Sequence, residues 1–174
     1  MQRWGRHVRR RPWPMDVDAL KARIRTAWAG ANAPTRESFT PGAPSTEAGR
    51  VAAFFVRRSW EQVDLGALRD HYGGDGSACL RFMAPDAFRY YLAAYMFIAI
   101  DHYDDADVVG QAAVNVLTPA ESSSLARDEE ERYAGFTRAQ RGAIVTFLEL
   151  MQQRHGGDFL PGELERALAF WRTA

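Results

Sequence analysis

Residues 82–100 read FMAPDAFRYYLAAYMFIAI, and this run sets the architecture of the chain. Pro85 suits the first position of an α-helix, and Asp86 suits the first turn, where a negative charge is favourable. The apolar side chains that follow recur at helical spacing on two neighbouring faces: Phe88, Leu92, Tyr95 and Ala99 on one, and Tyr91, Ala94 and Ile98 on the other. A helix that is apolar nearly all round is predicted to lie at the centre of the fold. Its uncharged apolar part, residues 90–100, is well short of the roughly 20 apolar residues that span a membrane.

The same helical periodicity continues on both sides of this central run. We expect helices near residues 16–29, 46–60, 85–100, 105–117, 137–155 and 161–172. Asp16 is placed to cap the first of them, and Thr137 with Gln140 has the spacing of a capping box. We expect one core that holds Phe88, Leu92, Tyr95, Ile144, Phe147, Leu148 and Trp171.

The fold class predicted from these elements is all-α, an irregular bundle of about six helices in one domain over residues 15–174. Asp64 begins a shorter helical stretch that ends at a pair of glycines. Residues 30–45 contain three prolines and are predicted to form a surface loop. Residues 79–82 favour a short extended segment, and residues 119–135 are compatible with either helix or loop.

The chain has 22 basic and 22 acidic residues, so its overall charge indicates neither nucleic acid nor a membrane as a partner. Residues 1–14 hold five arginines and no acid, which leaves 17 bases against 22 acids, a net charge of −5, from Met15 onward. We expect this basic arm to be disordered, with Met15 as an alternative start. Its arginines and two tryptophans leave open a contact with nucleic acid or anionic lipid. Lys21 is the only lysine, and such an arginine excess is typical of a GC-rich genome.

Cys79 is the only cysteine, which excludes an intrachain disulfide and a site of several thiolates. A single thiol is compatible with a reducing compartment, and we expect the bacterial cytoplasm. The arm is followed by charged residues where a secretory signal would have its apolar segment. We therefore expect a protein that is not exported by that route.

No catalytic, cofactor or metal site is predicted from motifs. The run GGDG at residues 73–76 lacks the lysine and the helix start of a phosphate-binding loop. The four histidines have no histidine partner at the spacing of a zinc protease. The run from Asp101 has Ala112 where a calcium loop has its glutamate. We expect no metal, no cofactor and no catalytic residue.

Three alternatives to this interpretation stay open. His102, flanked by acidic residues, suits a divalent cation or an acid–base pair, although a solvated helix junction has the same sequence. Cys79 with His71 has the residue types of a nucleophile and its base, although a lone cysteine is usually a small buried hydrophobic residue. A ligand pocket lined by tyrosines, as opposed to ordinary core packing, would use Tyr90, Tyr91 and Tyr95.

Several segments resemble an uncharacterised family of small bacterial proteins described as a domain of unknown function. The likeness lies in FMAPDAFRYYLAAYM at residues 82–96, VLTP at 116–119, FTRAQRGAIVTFLEL at 136–150 and AFWR at 169–172. Ala93 departs from the family pattern, in which proline is frequent at this position, and this implies a straighter central helix. The resemblance implies a helical fold and a cytoplasmic bacterial origin, and it transfers no catalytic residue.

Two acidic clusters on an ordinary helical scaffold favour a protein-binding domain over an enzyme. We expect a non-enzymatic bacterial immunity protein that neutralises a basic toxin partner, with no membrane contact. The residues expected to bind the partner are Asp101, His102, Asp104, Asp105, Asp107, Asp128, Glu129, Glu130 and Glu131. The alternatives are a small enzyme or ligand-binding protein that uses the His/Asp group or the tyrosines, and, ranked last, a nucleic-acid adaptor that uses the basic arm.

Overall fold

The structure is a computed structural model, and it describes residues 15–39, 46–120 and 126–174. Every regular element of these residues is helical, so the all-α prediction is confirmed for them. The described residues form eight α-helices: α1 (Val17–Trp28), α2 (Thr46–Phe55), α3 (Leu65–His71), α4 (Pro85–His102), α5 (Val108–Leu117), α6 (Ala126–Ala134), α7 (Arg138–His155) and α8 (Glu163–Thr173). Four short 3₁₀ helices lie between them: Arg36–Phe39, Trp60–Gln62, Gly76–Phe82 and Gly156–Asp158.

The central position predicted for α4 is confirmed. This helix packs against α1, α5 and α6, and most of its side chains are buried. All seven residues expected in the core are buried, and they belong to one hydrophobic cluster to which every α-helix contributes. Two tryptophans tie the outer helices to this cluster through side-chain hydrogen bonds: the indole of Trp28 donates to the carbonyl of Arg89, and that of Trp171 donates to the carbonyl of Leu117.

Two predicted helix starts are confirmed in atomic detail. The Asp16 carboxylate accepts a hydrogen bond from the Ala19 amide at 3.0 Å and caps α1. At the start of α7, Thr137 and Gln140 form the expected reciprocal capping box. Such caps satisfy amide groups that have no partner within the helix, which is why these boundaries are readable from sequence.

The second helix ends earlier than predicted, at Phe55 and not at residue 60. The Tyr91 hydroxyl of α4 lies 2.7 Å from the carbonyl oxygens of both Phe55 and Arg58. The hydroxyl lies where backbone amides would bond these two carbonyls if the helix continued. Ser59 then begins the 3₁₀ helix Trp60–Gln62 with its own capping box. The contact is made by a residue far along the chain, so local periodicity does not show it.

Replacing Tyr91 by Phe should lower the free energy of unfolding by about 1 to 3 kcal/mol, because the carbonyls of Phe55 and Arg58 would lose the hydroxyl they share, and only Phe55 keeps another donor among the described residues, the Arg58 amide at 2.9 Å. Chemical denaturation measures the change. The matched control is Tyr103→Phe, which removes a buried hydroxyl that makes no hydrogen bond with the described residues. If both variants lose the same stability, the Tyr91 hydroxyl does not hold the end of α2.

Two other elements differ from prediction, and the structure answers in part a question that the sequence leaves open. Residues 79–82, expected to be extended, belong to the 3₁₀ helix Gly76–Phe82, because the Asp75 carboxylate accepts a hydrogen bond from the Ser77 amide and starts a helical turn. The fifth helix begins at Val108 and not at residue 105, after a tight turn. The open question over residues 119–135 is resolved for its second half, where α6 forms, and with α3 and α6 the helix count exceeds six.

The basic arm, residues 1–14, lies outside the described residues, as do residues 40–45 of the predicted loop and residues 121–125. No described helix combines the length and the apolar character needed to cross a lipid bilayer.

Candidate functional site

The predicted acidic cluster forms a tight turn between α4 and α5, which we call the acidic turn and define as residues 103–108. Asp104, Asp105 and Asp107 are exposed, and Ala106 between them is buried. The small apolar side chain anchors the turn in the core, so its acidic neighbours point to solvent. None of the three carboxylates forms an ion pair or hydrogen bond with a described residue. Their charge is therefore available to a partner.

The backbone of the acidic turn is held at several points. The Ala106 amide donates to the His102 carbonyl at 2.7 Å, and the Arg69 guanidinium of α3 donates to the Asp105 carbonyl. Gly110 lies so close to the Tyr103 backbone that a Cβ atom there would come within 2.8 Å of the Tyr103 carbonyl oxygen. A turn fixed in this way loses little conformational entropy when a partner binds.

Tyr103 joins the acidic turn to the end of α7. Its ring stacks on the His155 imidazole with a centroid distance of 3.6 Å and an interplanar angle of 17°. Phe159 lies beside it at 6.3 Å. Burial, together with the nearby Asp158 carboxylate, raises the pKa of the Tyr103 hydroxyl to about 12. The segment 155–160 is therefore part of the same surface as the acidic turn, which the sequence did not indicate.

Two exposed apolar side chains flank this junction. Val108 is 51% exposed and ends the acidic turn, and Leu160 is 74% exposed and follows Phe159. They are the only large hydrophobic side chains classed as exposed among the described residues. Apolar groups surrounded by charged ones are the composition of a protein-binding surface, where the apolar part supplies burial and the rim supplies orientation.

The first two predicted site residues, Asp101 and His102, face a different environment. Asp101 forms an ion pair with Lys21 of α1 at 2.5 Å, so its charge is already compensated. Both residues line a cavity of about 180 Å³ that we call the aromatic pocket. Its floor includes Trp60 and Phe97, whose rings stack at 5.8 Å, and the Arg25 guanidinium lies 4.9 Å from the Phe97 ring centre.

The second acidic cluster lies in α6, away from the acidic turn. Glu130 and Glu131 are exposed, and the side chains of Asp128 and Glu129 are outside the described set. The Arg89 guanidinium donates to the Glu131 carbonyl, which places α6 beside the first turns of α4. The acidic turn follows the last turn of α4, about 20 Å further along the helix axis. The two clusters therefore do not form one continuous patch.

Asp107 is the only described residue other than glycine with a positive φ, with φ 50° and ψ −137°. It occupies the second position of a turn closed by a hydrogen bond from the Val109 amide to the Ala106 carbonyl. These angles resemble the second position of a type II′ turn, which is dominated by glycine. A non-glycine residue in such a region costs about 1 to 3 kcal/mol and is found most often at functional sites.

Replacing Asp107 by Gly should therefore raise the free energy of unfolding, by about 1 kcal/mol or more, because the backbone strain is relieved. Thermal or chemical denaturation measures the gain. The control is Asp104→Gly, since Asp104 has no positive φ and a glycine there should stabilise nothing. A loss of stability in the Asp107 variant would show that the carboxylate contributes more to folding than the strain costs.

The nucleophile considered at Cys79 is not assembled. Cys79 is fully buried and His71 is exposed, and no contact joins them in the described structure. The thiol donates to the Asp75 carbonyl at 3.7 Å, and burial raises its pKa to about 11, which disfavours a thiolate at neutral pH. The prediction that Cys79 is a small buried hydrophobic residue agrees with this position.

Tyr90, Tyr91 and Tyr95 are buried in the core, and their hydroxyl groups do not line one common pocket of the described residues. The Tyr95 hydroxyl donates to the Gly76 carbonyl at 2.7 Å, and burial raises its pKa strongly. Tyr91 is committed to the end of α2, as described above. Tyr90 lines an open groove of about 520 Å³ beside Gly135 and Gln140. No group of three or more His, Cys, Asp or Glu side chains among the described residues is arranged to hold a metal ion.

Comparison with known proteins places the chain in a family and gives no activity. A family model described as "Family of unknown function (DUF6714)" matches residues 18–174. No curated protein and no solved structure matches the chain.

Proposed function

Since the chain belongs to the DUF6714 family of unknown function, we propose a function from its own surface: a non-enzymatic protein-binding domain that docks a basic partner on the acidic turn. In the specific form of this proposal the protein is a bacterial immunity protein of the cytoplasm, and the partner is a toxin domain that it neutralises. The observation that carries the proposal is a rigid turn with three exposed, unpaired carboxylates.

Electrostatics favours a basic partner. Asp104, Asp105 and Asp107 lie within four consecutive residues, and the chain from Met15 onward has a net charge of −5. Such a local excess attracts a cationic protein over a distance of about one Debye length, roughly 8 to 10 Å at physiological salt. The expected contribution is to the rate of association and to specificity.

The exposed apolar side chains beside the acidic turn supply hydrophobic burial, which the carboxylates do not. Val108 and Leu160 expose apolar surface next to the acidic groups, and burying it would stabilise a complex by about 25 cal/mol per Å². The stacked pair of Tyr103 and His155 joins the two segments that carry them. A partner that covers both segments would bury a hydrophobic centre surrounded by carboxylates.

The test is retention of the product of an adjacent toxin-like gene on the immobilised full chain. The wild-type chain should retain it at low salt and release it progressively as salt is raised. The variant Asp104→Asn/Asp105→Asn should retain it at least tenfold more weakly, because two carboxylates are removed without a change of size. The matched control Asp18→Asn/Asp70→Asn removes two other exposed carboxylates and should bind as the wild type does.

Each departure from these results contradicts a stated part of the proposal. Retention that is independent of salt and equal in both variants would exclude the acidic turn as the interface. Equal weakening in both variants would show that net charge matters and the position of the carboxylates does not. Absence of any retained partner would remove the immunity function.

A second candidate function is supported by the aromatic pocket. The Arg25 guanidinium and the Glu61 carboxylate line this pocket together with its stacked aromatic floor. Opposite charges above an apolar floor suit a small zwitterion such as a free amino acid. Nuclear magnetic resonance titration with free amino acids should shift the Phe97 signals if this function holds. Unchanged spectra at millimolar amino acid would exclude it.

A further inference from the structure

Four arginines from three helices converge on one open groove, which we call the arginine groove. Arg23 of α1, Arg138 and Arg141 of α7 and Arg172 of α8 line a cavity of about 640 Å³. Gly142, Val145 and Trp171 form the floor between them. No acidic side chain lines this groove in the described part of the chain. Arg23, the pair Arg138 and Arg141, and Arg172 are far apart in sequence, so composition alone gives no sign of the cluster.

Three of these guanidinium groups are free of a compensating carboxylate. Arg23 donates to the Thr146 hydroxyl at 3.0 Å, and Arg141 donates to the carbonyls of Phe136 and Ala134. These neutral acceptors hold the side chains in place and leave their charge intact. Arg138 is exposed and has no hydrogen bond or ion pair with a described residue. Only Arg172 forms an ion pair, with Glu149 at 2.7 Å.

The positive charge of the arginine groove is unfavourable to the protein by itself. Arg138 and Arg141 lie in the first turns of α7, where the helix dipole disfavours cations. Glu149 compensates the charge of Arg172, and the other three positive charges have no described carboxylate partner. These positive charges repel one another and lie at the N-terminal end of α7, which is the positive end of the helix dipole. A bound anion would reduce this repulsion and stabilise the protein.

Gly142 lets the Arg23 side chain approach the other arginines of the groove. A Cβ atom at this position would lie 2.5 Å from Nη2 of Arg23, so the glycine allows the Arg23 guanidinium to lie against α7. The planar guanidinium fork binds two oxygen atoms of a phosphate at once, and several forks together select ligands with more than one negative charge. The surface is also remote from the acidic turn, since α7 spans about 25 Å between them.

We propose that the arginine groove is a binding site for a small phosphate-bearing ligand with at least two phosphoryl groups. The guanidinium groups of Arg23, Arg138 and Arg141 hold the phosphoryl oxygens, and Arg172 stands at the edge. The site is separate from the proposed protein-binding function and stands if that function fails.

Isothermal titration of the full chain with inorganic pyrophosphate tests this site, with inorganic phosphate as the ligand of lower charge. Pyrophosphate should bind at least tenfold more tightly than phosphate, because it engages more guanidinium groups at once. The variant Arg138→Gln/Arg141→Gln should lower the pyrophosphate affinity at least tenfold. Arg138→Gln alone should lower it severalfold, and this variant loses no hydrogen bond to the described residues.

The matched control is Arg57→Gln/Arg154→Gln, which removes two exposed arginines outside the groove and should leave the affinity unchanged. A titration with ADP shows whether a nucleoside adds affinity to the two phosphoryl groups. The proposal is overturned if pyrophosphate does not bind at millimolar concentration. It is also overturned if the groove variants bind as the wild type does, or if the control variant loses as much affinity as they do.

Discussion

Replacing Leu92 by Ala should lower the free energy of unfolding by about 2 to 5 kcal/mol, the range for a leucine truncated in a closed core. Leu92 is fully buried in the middle of α4, the helix on which α1, α5 and α6 pack. Because the Leu92 side chain is fully enclosed, we expect the surrounding structure to fill only part of the cavity that the truncation leaves. Urea denaturation monitored by circular dichroism measures the loss.

The matched control for this truncation is Leu160→Ala, at a side chain that is 74% exposed. Its removal leaves no cavity and should change stability by less than about 0.5 kcal/mol. A loss below ~0.5 kcal/mol in the Leu92 variant as well would place α4 outside the core. That outcome would contradict the architecture on which both proposed sites depend.

The variant Asp104→Asn/Asp105→Asn should associate with a basic partner about tenfold more slowly than the wild type at low ionic strength. The two carboxylates are exposed and unpaired, so their removal reduces the long-range attraction and leaves the fold unchanged. Stopped-flow measurement of the association rate constant at several salt concentrations tests this. At about 1 M salt, where the Debye length is roughly 3 Å, the two rates should converge.

The dissociation rate separates the electrostatic contribution from the apolar one. A variant of the acidic turn should change it less than the association rate, whereas Val108→Ser and Leu160→Ser should mainly accelerate dissociation. If the Asn variant associates as fast as the wild type at low salt, the carboxylates do not guide the encounter. A slower rate that persists at 1 M salt would instead indicate a structural change in the turn.

The fold could be predicted where local chemistry determines it. The apolar run of α4, the Asp16 cap and the Thr137–Gln140 capping box each act within a few residues, and each was predicted. The end of α2 depends on a hydroxyl from Tyr91, 36 residues later in the chain. The 3₁₀ helix Gly76–Phe82 begins at an Asp75 cap, which is a local signal present in the sequence, so its start is predictable from neighbouring residues.

The candidate site was predictable only in part. Asp104, Asp105 and Asp107 are contiguous and were predicted together, because adjacent residues share a surface whenever they form a turn. The sequence did not separate them from Asp101, which pairs with Lys21, because that contact joins two helices. The stacking of Tyr103 on His155 and the four guanidinium groups of the arginine groove likewise depend on tertiary packing. From composition alone, the arginine excess indicates a GC-rich genome. Only the structure shows that four of these arginines lie together in one groove.

Hydrogen–deuterium exchange of the full chain with and without its captured partner tests the central claim most directly, since it locates the interface without any substitution. The account predicts slower exchange at the amides of residues 103–109 and 158–160 when the partner is bound, with little change at residues 138–142 of the arginine groove. Protection confined to other segments, or no protection at residues 103–109 in a saturated complex, would contradict the acidic turn as the binding surface.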